Sequence, residues 1–388
     1  MPWQELRPMD QRLLFIADCL RERASMTALC AEYGISRKTG YKWLARYRQE
    51  GQDGLLEHSR RPQASPHALP YAVQQSILAL RQQHRDPPGA KKIQVLLAQH
   101  YPDQPVPSRT TIYTVLRRAG LVEPQRRIRR VPSHGSALQS ARQPNGLWSA
   151  DYKGQFRLRN GQWCYPLTVM DHASRYLLAC DGLQGTRLKE TRAVFERLFR
   201  DYGLPERLRT DNGTPFASTG CGGLSRLSIW WIRLGIIPER IEKGRPEQNG
   251  RHERMHRTLK RAVVVPPAAS ARAQQARFTA FCREYNGERP HEALQQRTPA
   301  SIYRPSARPY PEQLPELVYP SYMSVHRVSS GGIVYALGRR IYVGYLLIGE
   351  TIGLEAIDAG VWAVHFGPIR LGRIDERDAR GDYLSLKV

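Results

Sequence analysis

Leu147-Trp148-Ser149-Ala150-Asp151-Tyr152-Lys153 is a strand-like stretch that carries a carboxylate near its end. Strand-like text returns at residues 162–170 and 176–180, gives way to a helical stretch at 187–202, and resumes at 207–210. Three strands, a helix and a further strand predict an α/β domain built on a mixed sheet. Residues 225–234, 246–264 and 271–285 carry further helical patterns.

Acidic side chains fall at telling places in this domain. Asp151 lies in the first strand, and Asp211 ends a later one within Thr210-Asp211-Asn212-Gly213-Thr214-Pro215-Phe216. Both face one pocket if the two strands are neighbours. Glu253, within Gly250-Arg251-His252-Glu253-Arg254, falls on a helix that would pack beside the strand ends. Three hard oxygen ligands would then converge, the donor type Mg²⁺ prefers. Two such ions about 3.5 to 4 Å apart activate the nucleophile and stabilise the leaving oxygen in phosphodiester cleavage. Taken singly, each aspartate has a plainer reading: Asp211-Asn212-Gly213 also spells a turn, and Asp151 also suits a strand end.

On the N-terminal side, Leu13, Leu14, Ala17 and Leu20 mark a helix, residues 26–33 a second, and Gly34-Ile35-Ser36 a tight turn. Ser36 suits the N-cap of a third helix bearing Arg37, Lys38, Thr39, Lys42 and Trp43. That is a helix-turn-helix layout with a basic recognition helix, against the alternative of a helical hairpin with a solvated basic face. Segments 71–84, 90–100 and 108–119 predict a second such unit, with Arg109 on its last helix and Gly120 closing it. A basic stretch with Arg126, Arg127, Arg129 and Arg130 then leads into Pro, Ser, Gly and Gln, the text of a linker that tracks a DNA backbone or serves as a solubilising spacer.

On the C-terminal side, a Pro-rich stretch precedes short alternating segments at 324–328, 333–335, 341–343, 352–354 and 361–366, which predict a small β-barrel. The expected domains are therefore all-α helix-turn-helix domains at 1–60 and 61–123, a basic linker at 124–145, the α/β domain at 146–303, a Pro-rich linker at 304–321 and the barrel at 322–388.

Composition points to the partner. Lys and Arg number 59 against 35 Asp and Glu, a formal charge of +24. Such a field attracts polyanions, nucleic acid foremost, through release of counterions. An acidic membrane surface would need an amphipathic anchor or a span, and no run of about 18 apolar residues occurs. Met1-Pro2-Trp3-Gln4-Glu5 lacks the basic start and apolar stretch of a secretion signal, so a cytoplasmic, nucleoid-associated protein is expected. The six cysteines have neither zinc-ligand spacing nor a disulfide pattern.

Taken together, Trp148 to Lys153, Leu167-Thr168-Val169-Met170-Asp171-His172-Ala173-Ser174-Arg175-Tyr176, the Asp211 motif, the Glu253 helix and Tyr285-Asn286-Gly287-Glu288-Arg289-Pro290-His291-Glu292-Ala293-Leu294 resemble the DDE transposases of bacterial insertion sequences. These share a catalytic core with retroviral integrases, and the resemblance is closest to the subgroup with N-terminal helix-turn-helix domains. It implies a ribonuclease-H-like fold whose catalytic, metal-binding residues are Asp151, Asp211 and Glu253, served by two Mg²⁺ ions with Mn²⁺ as a substitute. It implies a homo-oligomer on double-stranded DNA that binds the element's terminal repeats, hydrolyses phosphodiester bonds at its ends and joins the 3′-OH to target DNA. A transposase-derived regulator or target-capture factor without catalysis, and a nuclease that cuts without joining, are the alternatives. The spacing from Asp211 to Glu253 exceeds that of retroviral integrases, and residues 217–226 read as the insertion.

Of the two glutamates, Glu247 stands six positions before Glu253, about 120° away around a helix, and follows Pro246, so it suits the positive helix start. His256 and Lys260, at i+3 and i+7 from Glu253, are expected on its face as DNA contacts, Lys260 otherwise being a solvated surface residue. Asp171, outside the triad, is expected to be structural.

Overall fold

The computed structural model describes residues 8–57, 68–122, 141–218, 220–242, 245–379 and 381–387. Arg126, Arg127, Arg129 and Arg130 lie outside them. The chain divides into two units, Met1–Ala68 and Leu69–Val388.

The first unit holds α1 (Pro8–Leu20), α2 (Met26–Glu32) and α3 (Arg37–Glu50). Phe15, Ile16, Leu29, Cys30, Trp43 and Leu55 bury its core. The turn between α2 and α3 passes through Gly34 at φ +65°, a left-handed conformation that suits glycine. The Ser36 hydroxyl then accepts from the Thr39 amide at 3.2 Å and caps α3.

The second unit opens with α4 (Tyr71–Gln83), α5 (Ala90–His100) and α6 (Arg109–Arg118), packed through Ile77, Leu80, Ile93, Leu97, Ile112 and Leu116. Ser108 caps α6 as Ser36 caps α3, accepting from Thr111 N at 3.2 Å.

The central domain runs β1 (Trp148–Tyr152), β2 (Phe156–Arg157), β3 (Trp163–Asp171), β4 (Leu177–Leu183), α7 (Leu188–Tyr202), β5 (Arg207–Thr210), α8 (Arg226–Arg233), β6 (Ile237–Arg240), α9 (Gly250–Leu259), α10 (Ala271–Gly287) and α11 (Pro299–Ile302). The strands lie in the order β4-β3-β1-β5-β6, with β2 also on β3. β3 is antiparallel to β1 and β4, whereas β5 is parallel to β1 and β6, so the sheet is mixed.

Strand alternation sends Trp148 and Ala150 to one face and Ser149 and Asp151 to the other. On the first, they join Phe195 and Phe199 of α7 and Trp231 of α8. On the second, α9 and α10 bring Met255, Leu259, Phe278 and Phe281 over Met170 and Cys180. Asn286 secures α10: its side chain accepts from Leu177 N at 2.8 Å and donates to Leu177 O at 2.9 Å.

The α4–α6 bundle falls in the same unit as this core. Asp86 pairs with Arg289, Lys91 with Glu292, and His84 with Glu284 at 2.8 Å. These pairs tie the bundle to the C-terminal end of α10.

The tail departs from the expected barrel. Its strands β7 (Ser324–Arg327), β8 (Ile333–Ala336), β9 (Arg339–Tyr342), β10 (Thr351–Asp358), β11 (Val361–Phe366), β12 (Ile369–Asp375) and β13 (Tyr383–Leu384) form two sheets, β12-β11-β10-β7 and β13-β9-β8, not one closed cylinder. Their shared core, with Val334, Ile341, Ile352, Leu354 and Phe366, takes in Leu224, Ile229 and Ile232 from the central domain. The physical reason lies in α8, which is buried at every position from Leu227 to Ile232. A helix apolar all round needs cover on both sides, and the tail supplies the second. Residues read as a loop insertion join this packing through Cys221, whose thiol faces Leu371 O at 3.8 Å.

Candidate active site

The parallel register of β1 and β5 fixes the two aspartates. Trp148 pairs with Leu208 and Ser149 with Arg209. Extrapolated by two residues, the same register would set Asp151 level with Asp211, just past the end of β5, and the Asp211 charge does act on Asp151. Asp211 is half-buried and accepts from Gly213 N at 3.1 Å. Glu253 stands exposed in the first turn of α9.

Burial first, and then the charge of Asp211, push the Asp151 carboxyl up to about 7; the Tyr152 amide and Lys153 oppose this, and the charge of Glu253 adds a last, smallest push. An aspartate, a second aspartate and a glutamate sharing one electrostatic environment are the hard-oxygen set that a divalent cation neutralises. The residues present therefore fit such an ion.

Beneath the carboxylates is a polar seam that sequence reasoning missed. Thr168, directly across from Asp151 in the β1–β3 pair, places its hydroxyl 2.7 Å from Nε2 of both His252 and His256. The Ser149 hydroxyl lies 2.8 Å from the other ring nitrogen of His252. His256 Nδ1 faces Asp151 Oδ2 across 3.7 Å. Burial holds both imidazoles neutral, His252 down to about 3 and His256 lower still. The signal was present in the text: two histidines four apart on one helix share a face.

The expectation for His256 as a DNA contact needs correction. It is 6% exposed and turned onto the sheet. At 100° per residue it sits 60° from Glu253 but only 40° from His252, and that rotation carries it from the surface into the interface. Lys260 is exposed, in the short π-helical turn Lys260–Val264 that extends α9. Arg37, Lys38 and Lys42 are exposed on α3, as Arg109 is on α6. The Glu247 side chain lies outside the described ones.

Asp171 has structural partners. It is fully buried and accepts from Asn145 N at 2.8 Å, Ser174 N at 2.7 Å and the Ser174 hydroxyl at 2.6 Å.

Comparison with known proteins gives this geometry its context. Residues 141–246 and 234–299 match models of the integrase core domain, residues 11–63 a helix-turn-helix domain and 39–116 a homeodomain-like domain. The chain is 31% identical over 201 residues to the insertion element IS407 uncharacterized 31.7 kDa protein of Burkholderia multivorans, covering 49% of this chain and 67% of that one. It is 29% identical over 121 residues to the Gag-Pol polyprotein of baboon endogenous virus, covering 31% of this chain and only 7% of the polyprotein. Among solved structures it is similar to the HTLV-2 integrase catalytic core domain in complex with magnesium, at 16% identity and TM-score 0.33 over 42% of this chain and 98% of that one. It is also similar to a chain of the simian T-cell lymphotropic virus intasome, at 16% identity and TM-score 0.36 over 70% and 87%.

The chain belongs to the DDE transposases, with an integrase core and an N-terminal helix-turn-helix region. It is accordingly a polynucleotidyl transferase of DNA transposition and integration, from a family that uses divalent metals. Among the described residues no helix is long and apolar enough to cross a membrane.

Proposed function

We propose that this transposase binds the terminal repeats of an insertion sequence, hydrolyses phosphodiester bonds at the element's ends and joins the 3′-OH to target DNA, with Asp151, Asp211 and Glu253 holding two Mg²⁺ ions. The observation that carries this reading is the parallel pairing of β1 with β5, which brings Asp211 close enough for its charge to act on the Asp151 carboxyl, with a smaller contribution from Glu253. Bound ions of this kind supply a lowered pKa to an attacking water or 3′-OH and charge stabilisation to the leaving oxygen.

The protein's own part is to hold the carboxylates and to grip DNA. Asp151 is fixed by the β1–β3 pairing, Asp211 by its turn, and Glu253 by the packing of Met255 and Leu259 on the same helix. The exposed Arg37, Lys38 and Lys42 on α3 and Arg109 on α6 suit contact with the element ends, and Lys260 suits phosphate beside the carboxylates. Arg126, Arg127, Arg129 and Arg130 are assigned to backbone contact from sequence alone. Two element ends must be brought together before joining, which calls for more than one subunit on the DNA.

The test is joining of a donor fragment bearing the flanking ends to a supercoiled plasmid in Mg²⁺. Wild type should yield recombinant product, and Asp211→Asn and Glu253→Gln should yield none while still binding DNA. Free ends without joined product would point to a nuclease, and binding without breakage by all three proteins to a regulator.

A further inference from the structure

Asp151, His252 and His256 offer ligand atoms within 4.8 Å of one another, but the hydrogen bonds separate the two histidines. His252 is fully buried, with a hydroxyl at each ring nitrogen: Ser149 at 2.8 Å and Thr168 at 2.7 Å. It has no lone pair to spare for the cleft.

His256 is different. Its Nε2 meets Thr168, and its Nδ1 faces Asp151 Oδ2 at 3.7 Å, beyond hydrogen-bond reach. Thr168 has one proton to give, and its oxygen also lies 3.0 Å from the backbone oxygen of Asp151. If that proton goes to the carbonyl, the hydroxyl accepts from both imidazoles. If it goes to His252, the hydroxyl still accepts from His256. In both arrangements His256 carries its proton on Nε2 and turns a bare Nδ1 lone pair toward a carboxylate oxygen. Donation to His256 would instead strand an N–H against Asp151 without a bond. Once Asp151 is ionised, two acceptors face each other across 3.7 Å, an arrangement that a metal cation between them would satisfy. A ring whose far N–H is held by a protein acceptor also has the arrangement usual for a metal-ligating histidine.

We propose that His256 Nδ1 is an inner-sphere ligand beside Asp151, so that one ion position of this site has mixed nitrogen and oxygen donors and favours Co²⁺-class transition metals over Mg²⁺. The inference rests on the reading of Asp151 as a metal ligand. Imidazole suits transition ions, whereas Mg²⁺ takes oxygen donors and keeps its water. His256 thereby acts on which metal binds, while Asp211 and Glu253 supply the oxygen ligands common to both.

The experiment titrates the full-length chain, without DNA, with Co²⁺ and separately with Mg²⁺. Binding is followed by calorimetry and, for Co²⁺, by visible absorption. Variants are His256→Gln, which places a polar atom near Nε2 for Thr168 and removes Nδ1, His256→Asn, which keeps a polar atom near Nδ1, and Asp151→Asn. For His256→Gln we expect a loss of at least about 10- to 100-fold in Co²⁺ affinity, the scale set by losing only an outer-shell partner of a ligand, with a changed Co²⁺ spectrum and Mg²⁺ affinity within about threefold. Equal effects on the two ions, or none on Co²⁺, would overturn the proposal. If the Gln variant fails to melt cooperatively, His256→Asn decides: a Co²⁺-selective loss with a changed spectrum supports the assignment, and an unchanged Co²⁺ spectrum overturns it. Asp151→Asn separates the two readings, because unaltered binding of both ions there would remove the carboxylate site itself and not merely its nitrogen ligand.

Discussion

Replacing Asp151 by Asn should stabilise the metal-free protein, although it destroys the site. The Asp151 carboxyl stands near 7 in the folded chain against an ordinary 3.8, raised by burial and then by Asp211 and Glu253. A shift of about three units at about 1.4 kcal/mol each gives about 4 kcal/mol. Its side chain is 21% exposed, and solvent screening of the neighbouring charges reduces this to about 2 kcal/mol. The folded state holds the proton more tightly than the unfolded one. The favourable contribution is therefore fully present below pH 4 and is lost as pH rises toward and through 7. In urea melts with EDTA, Asp151→Asn should match wild type near pH 4 and exceed it by about 2 kcal/mol at pH 8. Asp171 and Asp181 are also raised by burial, but they are common to both proteins and cancel in the difference. Saturating Mg²⁺ should reverse the order, since only wild type gains from binding. A variant no more stable than wild type at pH 8 in EDTA would refute the account of a strained, cation-demanding carboxylate cluster.

Asp171→Ala should lower the urea midpoint by the equivalent of about 3 kcal/mol or more, because it leaves buried donors from Asn145 and Ser174 unmatched. An unchanged midpoint would put Asp171 back among the site acids. Ser36→Ala and Ser108→Ala should each cost about 1 kcal/mol of helix stability, read by hydrogen exchange as faster amides in the first turns of α3 and α6 respectively. Arg339→Ala with Arg340→Ala, both exposed on β9, should flatten the slope of log affinity against log salt by about 0.9 for each phosphate the protein no longer neutralises. A slope equal to wild type, measured by anisotropy with labelled duplex, would mean that these two arginines of the tail neutralise no phosphate.

Much of the fold was legible because its signals are local. Ser36 announces the start of α3, and in the structure Ser36, Ser108 and Ser225 each accept the amide proton that capping α3, α6 and α8 requires. The spacing of apolar residues gave α10 nearly to its ends. β6 was missed because Ile237-Pro238-Glu239-Arg240 is an edge strand with a proline and two charges, and it owes its place to pairing with β5. The three acids were read as a constellation, whereas the histidines behind Asp151 were not read as its neighbours. His256 read as a surface cation because its spacing from Glu253 suggests one face, whereas Ser149 and Thr168 decide which face meets the sheet. That information lies in the register of β1 against β3, which no local pattern contains.

The same non-local logic bears on how the tail can be studied. Removing residues 322–388 would uncover Leu224, Ile229 and Ile232, which are buried at 7% exposure or less, and would strip the Glu350 carboxylate from Arg233, held at 2.9 Å. α8 also carries Trp231, which packs edge-on to Phe195 at 5.0 Å and on Phe216 at 6.3 Å, and Phe216 stands five residues past Asp211. A truncation would thus loosen the helix that backs the Asp211 turn, and a loss of joining activity would follow whether or not the tail touches DNA. Exposed arginines on the outer strands can be changed without opening that shared core. Point substitution, and not deletion, is therefore the operation that separates a DNA-holding role of the tail from its role as the second wall of α8.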